Sequence, residues 1–113
     1  MASYADFLPR LADDVPVLEP LVREHLEDNE GELLPHLLLS DVRQWCVEHV
    51  STDRATVQQV VDGLEAALAS GDDAVENAVA VSFVEDLMAD GAPGQTVLAL
   101  LPPRMAAMQE WFR

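Results

Sequence analysis

The sequence GDDAVENAVAVSFVEDLMADG, from Gly71 to Gly91, predicts one long helix. Asp72 and Asp73 suit its N-cap and first turn, and Gly91 can take the left-handed conformation that ends a helix. Its apolar residues form two stripes on different sides: Val75, Val79, Phe83 and Leu87 on one, and Val81, Val84 and Met88 on the other. A helix that is apolar around most of its circumference is usually buried against several neighbours. We therefore expect a central helix over residues 72–89.

Helical periodicity continues on both sides of this stretch. The clearest pattern lies in residues 57–68, where apolar residues recur every three or four positions, and Ser51 or Thr52 is expected to cap that helix. A preceding helix is expected to begin at Ser40, after a short buried helical piece around Pro35.

The remaining breaks are predicted from proline and glycine. Pro9 is expected to kink or break the first helix near Leu8, and the next helix runs from about Pro16 to Asn29. Residues 91–94 predict a loop, and Pro102 precedes a last helix. The pattern indicates an all-α bundle or orthogonal array of about six helices, in one domain covering residues 1–113.

The composition fits one small globular domain. The chain has 113 residues, half of them hydrophobic, so it can bury a single core. No apolar run approaches the roughly 18 residues of a membrane span, and the N-terminus lacks the basic start of a signal peptide. Cys46 is the single cysteine and cannot form an internal disulfide. We expect a cytoplasmic protein without a membrane partner.

Acidic charge is the strongest compositional feature. Six Arg and 21 acidic residues give a net charge of −15, and the chain has no Lys. Such a field disfavours direct binding to the phosphates of nucleic acids and favours a basic protein partner. The alternative is that the charge serves only solubility.

The densest acidic surface is predicted on the helix that follows Pro16 and just beyond it. The expected partner-binding residues are Glu19, Glu24, Glu27, Asp28, Glu30 and Glu32. Arg23 is the basic residue among them, and the apolar stripe with His25 lies on another face of the same helix. We expect this surface to steer a basic protein by charge.

Chemical motifs are nearly absent. Cys46 and His49 lie three residues apart on one helix face, but a zinc site needs a second pair of ligands and the chain offers none at a suitable spacing. The chain also lacks a glycine-rich phosphate loop and the common hydrolase motifs. We therefore expect no catalytic residue, metal or cofactor, and a protein that is not an enzyme.

Two further features have alternative interpretations. Ser82, Glu85 and Asp86 form a polar strip on the central helix, either bonded to a neighbouring helix or available to a ligand. The C-terminal stripe of Met105, Met108, Trp111 and Phe112 either docks on the core or binds a partner. The second alternative describes a structural or regulatory subunit that docks through its C-terminal helix.

A family resemblance covers about residues 5–90. It rests on the segments GELLPHL (31–37), Asp41–Val42, and AVSFVEDL (80–87). These resemble a family of uncharacterised small acidic bacterial proteins, some of which are similar to immunity proteins of polymorphic toxins. The resemblance implies an all-helical fold and a protein partner, such as a toxin, and supplies no catalytic residue.

The charge excess predicts salt-dependent stability. Because the Debye length falls from about 30 Å at 0.01 M to about 8 Å at 0.15 M ionic strength, added salt should weaken the repulsion among carboxylates and raise the melting temperature. Thermal melts over this range of sodium chloride check it, and a melting temperature that does not rise with salt would contradict it.

Overall fold

The computed structural model describes residues 3–113, and every regular element in that range is helical. The helices are α1 (Phe7–Asp14), α2 (Glu19–Asp28), α3 (Pro35–His49), α4 (Arg54–Ser70), α5 (Asp73–Val79), α6 (Asp86–Met88), α7 (Gly91–Leu98) and α8 (Pro103–Ala107). A 3₁₀ turn spans Pro16–Leu18, a π-helical segment spans Ala80–Glu85, and a C-terminal 3₁₀ turn spans Met108–Phe112. The all-α fold class is confirmed, whereas residues 1–2 of the predicted domain lie outside the described residues.

The stretch that predicted one long helix forms α5, the π segment and α6 in direct succession. Asp72 caps it as expected, since its carboxylate accepts the backbone N–H of Val75 at 3.0 Å. The first apolar stripe is completely buried, and so is Val84. Val81 differs, with 38% of its surface exposed. A π-helical turn contains more residues than an α-helical turn, so it changes the directions of the side chains that follow.

The π segment and its flanking helices contact several elements of the fold. The π segment packs against α3 and against the C-terminal 3₁₀ turn, α5 packs against α3 and α4, and α6 packs against α7. Phe83, in the π segment, is among the largest fully buried side chains. Burial of apolar side chains from all these helices forms one hydrophobic core.

Two predicted helix starts are wrong. The structure has one helix from Pro35 to His49, so Ser40 lies inside α3 rather than at its N-cap. Pro35 occupies the first turn, where its fixed φ favours the helix and its missing N–H costs nothing. In α4 the N-cap is Asp53, whose carboxylate accepts the N–H of Thr56 at 3.3 Å, and not Ser51 or Thr52.

Two predicted breaks are also absent. Pro9 lies in the first turn of α1, which it does not interrupt, because the helix begins only at Phe7. The expected loop at residues 91–94 belongs to α7. Gly94 lets α7 approach α6 closely, since a Cβ at that position would lie 2.4 Å from the carbonyl oxygen of Leu87. Gly94, which was expected in a loop, therefore allows two helices to pack closely.

Two polar contacts join distant parts of the chain. Arg43 of α3 donates to the carboxylate of Asp90, and its Nε lies 3.9 Å from Asp86. Glu65 of α4 accepts the backbone N–H groups of Arg104 and Met105 at 2.9 and 3.1 Å. Its carboxylate therefore satisfies donors at the N-terminus of α8, where negative charge is favoured.

No helix within residues 3–113 has both the length and the apolar character needed to cross a membrane.

The burial of Phe83 predicts a large loss of stability in Phe83→Ala. Removing a fully buried phenyl ring leaves a cavity and should lower the free energy of unfolding by about 3–5 kcal/mol. Arg54→Ala is the control, because Arg54 is exposed and has no ion pair among the described residues. Its free energy of unfolding should differ from that of the parent by no more than about 0.5 kcal/mol. Urea unfolding of both variants measures the difference. Equal stability of Phe83→Ala and the parent would refute the described core.

Candidate functional site

A cleft of about 310 Å³ lies between α2 and α3. Its lining residues are Leu21, Glu24, His25 and Asp28 from α2, and Asp41, Gln44, Trp45 and Glu48 from α3. Both sets follow the spacing i, i+3, i+4 and i+7, which places four side chains on one face of a helix. Each wall of the cleft is therefore one continuous helical face.

The cleft is strongly acidic. Its four carboxylates, Glu24, Asp28, Asp41 and Glu48, are all exposed, and none of the described lining residues is Arg. The ion pairs of the described chain lie elsewhere: Arg10–Asp6, Arg23–Glu19, Arg43 with Asp86 and Asp90, Arg104–Glu65, and Arg113–Glu110. The negative charge of this acidic cleft is therefore uncompensated by lining groups, and a cation entering it is attracted from both walls.

His25 contributes a buried polar group to the acidic cleft. Only 4% of its surface is exposed. Its Nε2 accepts the backbone N–H of Leu34 at 2.9 Å, and Asn29 donates to its carbonyl oxygen at 2.8 Å. His25 therefore links α2 to the residue just before α3, and its ring is held in one orientation.

Trp45 supplies the aromatic part of the α3 wall. Its ring stacks on His49, with 4.3 Å between ring centroids and 14° between planes. His49 in turn donates through Nδ1 to the carbonyl oxygen of Trp45 at 2.8 Å. This stacking fixes the indole ring beside the carboxylates.

The six predicted partner-binding residues occupy different places. Glu24 and Asp28 line the acidic cleft, whereas Glu27 is exposed on α2 outside its lining. Glu19 is paired with Arg23 at 3.0 Å. Glu30 and Glu32 are exposed in the connection between α2 and α3. The structure thus brings two of the six into one concave site.

Sequence reasoning missed the α3 wall of this site. Asp41, Gln44 and Glu48 recur at i, i+3 and i+7, a polar stripe that the printed sequence contains. The stripe alone is typical of any solvated helix face. It becomes part of a site because α2 packs beside α3, which the periodicity of either helix does not specify.

The polar strip of residues 82–86 makes interhelical contacts. Ser82, 7% exposed, lies with its Oγ 2.7 Å from Nδ1 of His36 in α3. Asp86 faces Arg43, and Glu85 is exposed. The strip therefore joins the π segment and α6 to α3.

The C-terminal stripe is divided between core and surface. Met105 and Met108 are buried, so α8 and the turn that follows are docked on the core. Trp111 has 55% of its surface exposed, and Phe112 is half-buried. Only the end of the stripe is available to a partner.

A second cleft, of about 170 Å³, separates α1 from α4. It is lined by Phe7, Arg10, Leu11, Asp14, Gly63, Ala66, Ala67 and Ser70. One cationic and one anionic side chain give it no excess of acid, so it does not share the chemistry of the acidic cleft.

The Cys46 and His49 pair does not form a reactive site. Cys46 is completely buried, and burial raises the pKa of its thiol from 9.0 to about 12. His49 is held by its contacts with Trp45. Within residues 3–113 no three His, Cys, Asp or Glu side chains converge in an arrangement that could hold a metal ion.

The fold and the cleft define a small all-helical domain with an acidic site between two helices. The chain belongs to the family described as domain of unknown function DUF7674, whose sequence profile matches residues 8–112. The matched range includes the C-terminal helix, which the resemblance over residues 5–90 did not. Searches of curated proteins and of solved structures gave no significant match.

The raised pKa of Cys46 predicts a thiol that does not react in the folded protein. The thiolate is the nucleophile, and between pH 9 and about 12 an unfolded Cys46 ionises while the folded one stays neutral. Stability from this group is complete below pH 9 and declines above it. Alkylation by iodoacetamide at pH 8 should be slow in buffer and fast in urea. Rapid labelling of the folded protein would contradict the buried position.

Proposed function

We propose that this protein is a non-enzymatic binding protein, of the immunity or inhibitor kind, that docks a basic segment of another protein in the acidic cleft. The observation that carries the proposal is the set of four exposed carboxylates around one cleft of about 310 Å³ without a lining cation. The net charge of −15 extends the same attraction over the whole molecule. The resemblance to immunity proteins supports a basic toxin as the partner.

The dimensions of the cleft suit a short basic segment. The lining residues of each helix span seven positions, which is about 10 Å at 1.5 Å per residue. An extended chain advances about 3.3 Å per residue, so about three of its residues fit along the cleft. One or two basic side chains from such a segment can reach carboxylates on both walls.

The chemistry of the walls favours arginine over lysine in that segment. A guanidinium binds carboxylates through two parallel hydrogen bonds and also packs well on an indole ring. The carboxylates of Glu24, Asp28, Asp41 and Glu48 supply the acceptors, and Trp45 supplies the ring. A segment with arginine at alternate positions is therefore the simplest probe of the site.

Charge reversal inside the cleft should slow binding of this probe. The variant is Glu24→Lys, Asp28→Lys and Glu48→Lys, three exposed positions that do not belong to the hydrophobic core. Association of a peptide with alternating Arg and Ala should slow by about tenfold or more, with a smaller change in dissociation. Stopped-flow fluorescence of Trp45, in a Trp111→Phe background, measures both rates.

The matched control separates the cleft from the general field of the molecule. Asp13→Lys, Glu76→Lys and Glu85→Lys change the net charge by the same amount at exposed positions outside the cleft. Association with this control should slow by only about twofold at moderate salt, where distant charges are screened. Equal slowing in both variants would show non-specific attraction and refute the cleft. Undiminished binding by the folded cleft variant would place the interface elsewhere, with exposed Trp111 as the next candidate.

A further inference from the structure

Negative charge is distributed unevenly along the chain. Residues 1–90 contain 20 acidic residues and four Arg, whereas residues 91–113 contain one acidic residue and two Arg. Both of these Arg are paired, since Nη1 of Arg113 lies 3.0 Å from the carboxylate of Glu110, and Nη1 of Arg104 lies 3.9 Å from that of Glu65. The surface formed by the last part of the chain therefore has balanced charges, although the molecule as a whole carries −15.

The side chains exposed on this part of the surface are mainly apolar. We define the C-terminal face as the exposed and half-buried residues within 99–113. Its exposed apolar residues are Ala99, Pro103, Ala107 and Trp111, with Leu101 and Phe112 half-buried. Trp111 is the largest of them and has 55% of its surface exposed. Tryptophan is enriched at the centres of protein interfaces, so this face has the composition of a contact surface.

The elements packed against the C-terminal face add an apolar residue and two acids. The π segment, which contacts the C-terminal 3₁₀ turn, contributes Val81, 38% exposed, and the exposed Glu85. Helix α4, which contacts α8, contributes Asp62, and Gln58 donates both to this carboxylate and to the carbonyl oxygen of Leu100. Neither acid has an ion pair among the described residues. Any acidic partner at this face therefore meets some residual repulsion, which added salt weakens.

A second copy of this chain is the partner that the C-terminal face suits. In a twofold-symmetric dimer the same patch occurs on both sides, so an acidic patch would meet an equally acidic one and repel it. The C-terminal face avoids this cost because its own charges are balanced. A basic partner, in contrast, is attracted to the acidic remainder of the molecule and gains nothing from a neutral face.

The charges beside Trp111 are also self-complementary. The side chains of Glu110 and Arg113 are 71% and 60% exposed, so their ion pair can change partners without breaking a buried contact. Across a twofold axis, Glu110 of each copy can meet Arg113 of the other. Two exposed pairs within single chains are then replaced by two pairs between chains. Next to packed indole rings these pairs are less exposed to water and therefore stronger.

We propose that the C-terminal face is a homodimer interface in which the two Trp111 rings pack together and Glu110 of each copy pairs with Arg113 of the other. No residue of this face lines the acidic cleft, so the dimer presents two open clefts. The interface does not depend on what the cleft binds, and its tests use the protein alone.

Sedimentation equilibrium tests the dimer and its dependence on salt. Between about 0.01 and 1 mM protein the average mass should rise from that of one copy towards that of two. Raising the ionic strength from about 0.1 M to about 1 M shortens the Debye length from about 10 Å to about 3 Å, so the Kd of the dimer should fall by about threefold or more. Insertion of Arg from one copy into the acidic cleft of another would weaken with salt instead. A protein that stays monomeric at about 1 mM, or a dimer that salt weakens, would overturn the proposal and leave this face to a different protein.

Trp111→Ala tests the centre of the interface. Because this side chain is exposed, the variant should fold, and its dimer should have a Kd raised by about thirtyfold or more. Val17→Ala is the matched control, since Val17 is 45% exposed in the 3₁₀ turn that contacts α1 and α2, and its effect on Kd should be less than about twofold. Circular dichroism checks that both variants are folded. Dimerisation of Trp111→Ala equal to that of wild type would refute the assigned interface.

Mixing two charge variants tests the pairing between copies. Arg113→Glu leaves only acids beside Trp111 and Glu110→Arg leaves only bases, so each variant alone should dimerise at least about tenfold more weakly than wild type. Their mixture restores an opposite charge to every contact, and the heterodimer should form about as well as the wild-type dimer. Native mass spectrometry distinguishes the species by mass. If total charge alone decided association, Glu110→Arg would dimerise more strongly than wild type. That result, or a mixture without preferred heterodimers, would contradict the proposed pairing.

Discussion

A carboxylate is expensive to remove from water, and this chain must keep 21 acidic residues hydrated while it buries a hydrophobic core. Among residues 3–113 no Asp or Glu is buried, and the buried polar side chains are His25 and Ser82. Acids therefore collect on the outer faces of helices that are apolar on the other side. Where α2 and α3 pack side by side, their acidic faces meet along the seam. The acidic cleft between α2 and α3 is a direct consequence of this constraint.

Two carboxylates that approach the interior are held by hydrogen bonds from other parts of the chain. Arg43 has a side-chain exposure of 15% and bonds Asp90, which is 25% exposed. Glu65 is 16% exposed and faces the N-terminus of α8, where two backbone N–H groups donate to it and Nη1 of Arg104 lies 3.9 Å away. Partial burial makes such contacts stronger than the exposed pairs within single helices, which contribute little. Because Arg43 is used in this way, α3 has no positive charge to offset Asp41 and Glu48 in the cleft.

His25 shows how one buried polar side chain can join two elements of the fold. It lies on the apolar stripe of α2, where a buried histidine needs a hydrogen-bond partner. The partner is the backbone N–H of Leu34, which donates to Nε2 at 2.9 Å. This hydrogen bond therefore joins α2 to the residue that precedes α3.

The proposed site could be anticipated only in part. Glu24 and Asp28 belong to the acidic surface expected from the sequence, and His25 belongs to the expected apolar stripe. Trp45 packs against the core and stacks on His49 at the wall of the cleft. Asp41 and Glu48 carried no local signal that distinguishes them from other exposed acids. Their role depends on α2, a neighbouring helix that the local pattern of α3 does not specify.

Periodicity and composition by themselves determined the all-helical class, the burial of Phe83 and its stripe, the cap at Asp72 and the acidic exterior. These features depend on contacts within a few turns of one helix or on the total charge. Both can be read from the sequence without knowing which helices pack together. The tertiary structure alone decided that α3 begins at Pro35, that Gly94 serves a close helix crossing, and that α2 lies beside α3. Those outcomes depend on which apolar faces meet, and many pairings of similar stripes satisfy the same local pattern until the whole core is packed.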